Sequence, residues 1–525
     1  MYFLRPRVLA VVLLAIVTAL SPARAADTIE VVLSNLPQRG STDYEALKQL
    51  AGASVSSELA MTHAETWSLA PERLPALEEA AARQGVAVMR LGEAWNHAFA
   101  PMPAGSPMSE GQKTMMHDTM RQAPVMGMTT MMLPPPEVLE HALTKNMDAD
   151  DAAKPATLVV RLSDTLQVSI ARTSIHKTKG GYAWHGAVAG TDEPATLIWW
   201  ADGRLSGSVT YMGHVYSVRS LGGGVHGIIE LAPNKLPPEH APMSDKDKHD
   251  MGMAKDPLVE QGDASMISPK KASRDLEDAA GTQERLALLG PSAISGGHFR
   301  DATTQPEVVI TVLVAYTRAA ARFYGDIERD LVALAIEDAN QSFRSSGLGH
   351  VRLDLAYAYE TDYVENGSHF NHVFRFADKG DGVMDEVHGI RDQYKADVAV
   401  LIVDDPMGCG LAAQIRAPVD RAFAVVDQGC AQTSYSLAHE IGHLIGARHD
   451  MALDGSMQPF AYGHGFVNGT AWRTMMAYKE SCGGCARVPV WSSPAIKVKG
   501  VPAGDAASDN ARVVSEEAAR VAAFR

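Results

Sequence analysis

Cysteine is scarce in this 525-residue chain: there are four, and none precedes Cys409. A lipid-anchored cysteine behind an N-terminal signal is thereby excluded. Positive charge is also short, with 47 Lys and Arg against 62 Asp and Glu, a net charge of −15. That balance argues against a nucleic-acid partner, which would demand clustered basic residues. A long apolar run is missing as well. The N-terminal run, Val8 to Leu20, falls well short of the roughly 18 residues needed to span a bilayer. No stable membrane association is expected.

What is present at the N-terminus is an address. Arg5 and Arg7 precede the apolar run, and Ala23-Arg24-Ala25 supplies small residues where a signal peptidase reads. Residues 1–25 therefore read as a signal peptide, and the mature chain is expected to be secreted or periplasmic. In an exported protein four cysteines suggest two disulfides, for which three pairings exist. Cys409–Cys430 and Cys482–Cys485 are favoured, because the first would pin the chain leading to a histidine-rich helix and the second would close a small loop. Cys482-Gly-Gly-Cys485 is half of a zinc-ribbon spacing, but its second half is missing.

Composition divides the rest. Residues 26–150 are rich in Ala and Met, and nine of the 24 methionines fall between Met102 and Met132. Prolines at 101, 103, 107, 124 and 134–136 rule out one long helix there. A helical patch is expected near Pro71–Gln84. Residues 151–232 alternate apolar and polar positions between Asp-Gly and Gly-Gly turns, the pattern of a compact antiparallel sheet. Residues 233–304 are polar, without sustained periodicity, and read as a linker. Residues 305–525 read as one α/β domain. Here "EVVITVLVAYT", "VRLDLAYAY", "ADVAVLIVDD" and "RAFAVVD" are strands, interleaved with amphipathic helices.

The chemistry concentrates in "HEIGHLIGARHD", His439 to Asp450. On a helix His439 and His443 lie on one face, one turn apart, so both imidazoles can reach one ion. Glu440 is placed to reach a water on that ion rather than the ion itself. Gly446 can adopt a left-handed conformation, end the helix and turn the chain back. His449 can then reach the ion from another direction. Three neutral nitrogens with an open fourth position suit one catalytic Zn2+.

These residues resemble the signature of the metzincin metalloendopeptidases, His-Glu-x-x-His-x-x-Gly-x-x-His. "WRTMMAY" looks like the methionine turn of that family, with Met476 as the floor residue and Met475 the alternative. Asp450 resembles the adamalysin/reprolysin branch, whereas Tyr478 resembles the astacin and serralysin branches. "ANQSFRSSGL", "DDPMGCGLA", "AYGHGF" and "CARVPVWSSP" are similar, in order, to landmarks of bacterial peptidyl-Asp metalloendopeptidases. The resemblance spans Glu307 to about Pro494 and implies an α/β catalytic domain with a mixed twisted sheet and an active-site helix. It also implies peptide-bond hydrolysis with Glu440 as general base, Tyr478 as a hydrogen-bond donor to the oxyanion, and protein or peptide substrates. The β-rich block resembles bacterial protease propeptides. Many metzincins are silenced by a propeptide cysteine, but Ala26 to Thr304 contains none. An inhibitory prosegment would have to use a carboxylate, a histidine or plain steric cover.

Cleavage before aspartate, as the resemblance implies, requires a cation in the pocket beyond the cut. The candidates are Arg487, preferred for its two-pronged grip on carboxylate, and Lys479. His464, between two glycines, reads as a residue supporting the site rather than a ligand. The reading from another class is an exported zinc- or copper-binding protein without protease activity. It rests on His117 among the methionines and on "MSDKDKHDMGM" at Met243–Met253.

Overall fold

A computed structural model describes residues 28–91, 99–102, 105–145, 156–240 and 305–525. The signal-like segment 1–25 and the Met243–Met253 stretch lie outside the described residues. The described residues divide into two compact units, one holding residues 28–91 and Pro135–Ala142, the other holding the remainder.

In the first unit four antiparallel strands lie in the order Ser54–Leu59, Ala64–Leu69, Ile29–Ser34, Ala87–Leu91. Helices Thr42–Ala51 and Leu74–Arg83 cover the sheet's core of Val31, Leu33, Tyr44, Leu47, Trp67 and Leu77. Proline at the start of the second helix costs no hydrogen bond, because the first N–H groups of a helix are unpaired anyway.

The second unit holds two sheets. The larger has nine strands, ordered Ala100–Pro101, Val125–Met132, Val225–Leu231, His214–Gly222, Arg204–Tyr211, Pro194–Trp200, Gly181–Val188, Gln167–Thr178, Thr157–Arg161, all antiparallel. It is wider than the 151–232 block, because two strands come from the Met-rich region. The prolines there do break the chain, into a helix at Glu110–Met120 capped by Ser109 and the strand Val125–Met132.

The other sheet carries the site. Its strands are β1 (Val308–Thr317), β2 (Val351–Thr361), β3 (Val398–Val403), β4 (Gly410–Ala412) and β5 (Phe423–Asp427), ordered β2-β1-β3-β5-β4. The first four in that order run parallel, and β4 pairs antiparallel with β5 at the edge. β3 is apolar at all six positions and wholly buried, as a strand covered on both faces must be. Helices α1 (Ala333–Ser345), α2 (His369–Ala377), α3 (Glu386–Gln393), α4 (Ser436–Ile445) and α5 (Asn510–Val521) complete a mixed α/β architecture. α2 and α5 stand where the sequence pattern indicated no helix.

The large sheet docks on α1 and the turn before it. Ala183 and Ile198 pack on Leu334, the Ser206 hydroxyl donates to Asp330 at 2.7 Å, and His185 meets Glu337 at 2.8 Å. From its strand Val225–Leu231 the chain passes through a short turn, Pro233–Lys235, and runs to His240 beside α4. The first residues of the stretch expected as linker are thus placed against the cleft; 241–304 lies outside the described residues.

Candidate metal centre

Helix α4 sets the site. It ends at Gly446, whose φ of 138° turns the chain back, and His449 returns to the helix face. The Nε2 atoms of His443 and His449 are 2.8 Å apart, and those of His439 and His449 3.3 Å apart. Nitrogen ligands about 2.0–2.1 Å from a tetrahedral ion stand roughly 3.3 Å from one another, so this spacing fits one ion. The opposite ring nitrogens are engaged: Nδ1 of His439 donates to the Met475 carbonyl at 3.0 Å, and Nδ1 of His443 to Ala447 at 2.9 Å. With Nδ1 protonated, each of these two rings presents the bare lone pair of Nε2 inward, which is the ligand form. Burial drives all three imidazoles towards neutrality, His443 down to about 3 and His439 and His449 well below the ordinary value.

The surrounding residues hold this arrangement. His464 is fully buried and donates Nδ1–H to the His449 carbonyl at 2.8 Å, so it supports a cluster member and stands outside the cluster itself. Asp450 accepts from the Tyr478 amide at 2.9 Å and the Ser481 hydroxyl at 2.7 Å, tying α4 to the methionine turn. Met476 lies below the helix, where a Cβ on Gly442 would come 2.9 Å from its sulfur; Met475 contributes its carbonyl to His439. The Tyr478 ring lies 4.0 Å from that of His449. Glu440 is buried with Oε2 unpartnered. Burial, and then the charge of Glu239, raises its carboxyl well above the usual range. The two cystines join Cys409 to Cys430 and Cys482 to Cys485.

A family model described as metallo-peptidase family M12 (Reprolysin_5) matches residues 307–489. A protein of Xanthomonas campestris pv. campestris named peptidyl-Asp metalloendopeptidase is 34% identical over 401 residues, 73% of this chain and 86% of that one. One of the same name from Stenotrophomonas maltophilia is 34% identical over 365 residues, 66% of this chain and 78% of that one. The chain belongs to the peptidyl-Asp metalloendopeptidase family. It is a metalloendopeptidase, and its substrates are proteins or peptides. A shorter family member from Pseudomonas fragi is covered completely, at 34% identity over 190 residues.

In this metalloendopeptidase a fourth imidazole joins the three. His240 has Nε2 3.2 Å from that of His449, and its Nδ1 donates to the Gly410 carbonyl at 2.7 Å. Its neighbour Glu239 is buried between two arginines, Oε1 2.7 Å from Arg473 and Oε2 2.8 Å from Arg487. Burial pushes the Glu239 carboxyl up, but the charges of Arg487 and Arg473 outweigh it and hold it below its ordinary value. Lys479 meets backbone instead, donating to the carbonyls of Leu236 at 3.1 Å and Pro237 at 2.9 Å.

Sequence reasoning missed Glu239, His240 and Arg473. The first two follow Pro237-Pro238 in a polar stretch, and the rigid proline pair was the one local sign of a defined path. Arg473 lies within "WRTMMAY", where a charged residue in an otherwise apolar turn marks a buried ion pair.

A second group, His176, His185 and Glu337, also brings ligand atoms together. There Arg344 already stands 2.6 Å from Glu337 and 3.1 Å from His185. A guanidinium occupies the place of a cation, and the group joins the large sheet to α1.

Proposed function

We propose that this chain is an exported zinc endopeptidase in which Glu440 is the general base and an acidic residue is preferred just beyond the cut. The observation carrying this is the convergence of His439, His443 and His449 beside a buried carboxylate, Glu440, with an unpartnered oxygen. Zinc held by the three histidines would lower the pKa of its bound water and polarise a peptide carbonyl. Glu440 takes a proton from the attacking water and passes it to the leaving amine. Tyr478, held by Asp450 through its backbone amide and kept protonated by burial, donates a hydrogen bond to the carbonyl oxygen as negative charge develops there.

The acidic preference is supported by the relatives' name and by Arg487, whose side chain is 4% exposed and already grips a carboxylate. Export is supported by the signal-like residues 1–25 and by two cystines, which persist in oxidising compartments. Incubation with a mixed peptide library, with and without chelator, tests the reading by mass spectrometry of the products. Chelator-sensitive cuts with Asp on the new N-termini are expected; cuts insensitive to chelator would overturn it.

A further inference from the structure

Glu239 and His240 belong to neither α4 nor the methionine turn, yet they fill the centre of the site. Building on the zinc and acidic-preference reading above, we propose that residues 236–240 are a built-in mimic of substrate. Glu239 fills the pocket for a substrate's acidic side chain, Arg473 is that pocket's second cation beside Arg487, and His240 takes the metal's remaining position.

The pocket is held independently of Glu239. Arg473 donates Nε–H to the Ala477 carbonyl at 3.0 Å and a terminal N–H to Cys485; Arg487 donates to Ser434 and to Ala477. These backbone carbonyls fix both guanidiniums and aim one nitrogen of each at the same spot. The carboxylate there is 7% exposed. Two buried cations converging on one carboxylate match an acidic side chain as a ligand.

The segment's main chain is held as an extended peptide is held at a sheet edge. The Pro238 carbonyl accepts from the Cys409 amide at 2.8 Å, and the Glu239 carbonyl from the Gly410 amide at 3.2 Å. Lys479 fastens the two preceding carbonyls. Leu236 packs on Cys409 and Cys430. His240 then presents Nε2 to the cluster, its tautomer set by the Gly410 carbonyl. Four nitrogens close a site whose catalysis needs one open position.

Chain direction explains why such a segment resists cleavage. A substrate cut on the amino side of its acidic residue offers the metal the peptide bond preceding that residue. Here the residue following Glu239 faces the cluster, so the segment offers an imidazole where a scissile carbonyl would be. The inhibitory group is thus a carboxylate and a histidine acting together, in a chain with no upstream cysteine.

The test uses the full chain with Glu239→Gln, His240→Ala and the double substitution. Each single change is expected to raise hydrolysis of an Asp-containing fluorogenic peptide at least tenfold. Hydrogen exchange at the amides of Cys409 and Gly410 should quicken in step. In cobalt(II)-loaded protein, His240→Ala should shift the visible ligand-field bands. A peptide with the sequence of residues 234–241 should restore inhibition of the double variant. Unchanged hydrolysis, exchange and cobalt bands in both single variants, with chelator still abolishing activity, would overturn the mimicry and leave the zinc reading standing. On the double-variant background, Arg473→Ala should cut the preference for Asp over Leu at least tenfold. Retention of that preference would remove Arg473 from the pocket. Equal cleavage of Asp and Leu peptides before Arg473 is changed would remove the acidic preference itself.

Discussion

A Cβ on Gly410 would stand 2.6 Å from Oε1 of Glu440. The edge strand β4 therefore passes so close to α4 that only glycine leaves room for the proposed base. Gly410→Ala should keep bound zinc but lower kcat by roughly a hundredfold, within the range that general acid–base catalysis contributes. Glu440→Ala should likewise keep zinc and lose at least as much activity, while His443→Ala should lose both. Metal analysis beside peptide kinetics checks all three, and full activity in Glu440→Ala would end the mechanism.

Arg487 and Lys479 should separate in the active enzyme. Arg487 reaches a carboxylate and Lys479 reaches backbone carbonyls. Arg487→Ala is expected to reduce cleavage of an Asp peptide by about ten- to a hundredfold relative to matched Asn and Leu peptides, the worth of one charge-assisted hydrogen bond. Lys479→Ala should leave the ratio among the three peptides intact. A collapse of that ratio in Lys479→Ala would move the pocket to the lysine.

Gly442 faces Trp491 and Met476. A Cβ there would come 2.7 Å from the tryptophan ring and 2.9 Å from the methionine sulfur. Gly442→Ala overpacks the floor of the site and should cost about 1–3 kcal/mol. Thermal unfolding would register this as a fall of several degrees, and an unchanged Tm would show that Trp491 shifts freely.

Asp427, at the end of β5, supplies a pH signature. Burial pushes its carboxyl up to about 8, Asp404 and Asp405 adding to the effect. Its folded pKa thus lies above its unfolded value, so the associated stability is full below pH about 4 and is lost as pH rises towards 8. Asp427→Asn keeps an acceptor for the Gly429 amide, which lies 2.9 Å from Oδ1. The variant should melt above wild type at pH 8.5 by roughly 5 °C, and by much less at pH 4.5. Parallel melting curves at both values would show that Asp427 titrates normally.

Much of the catalytic half was legible because its signals are local. β3 is a continuous apolar run and β1 and β5 are nearly so, and the offsets from His439 to His449 follow from helix geometry and one glycine. The cystines matched the favoured pairing because each joins residues close in sequence, 21 and 3 apart. Other elements left weaker traces. Val125–Met132 is a strand through its pairing with Val225–Leu231, since its methionines follow no strand period. α2 was hidden for a related reason: its buried face includes His369 and His372 beside Val373 and Phe376, so polar letters occupy core positions.

What only the tertiary structure decided is the meeting of distant residues. Leu236 to His240 reads alone as a polar, proline-containing passage, and Arg473 as one charge in an apolar turn. Over 230 residues separate Glu239 from Arg473. No periodicity records that separation, because ion pairing acts through space while hydrophobic period and capping act along the chain. The chain by itself carried the helix that gathers three imidazoles around one point. Folding brought the fourth imidazole to that point and a carboxylate between the two arginines, because burying those charges is tolerable only where opposite partners meet.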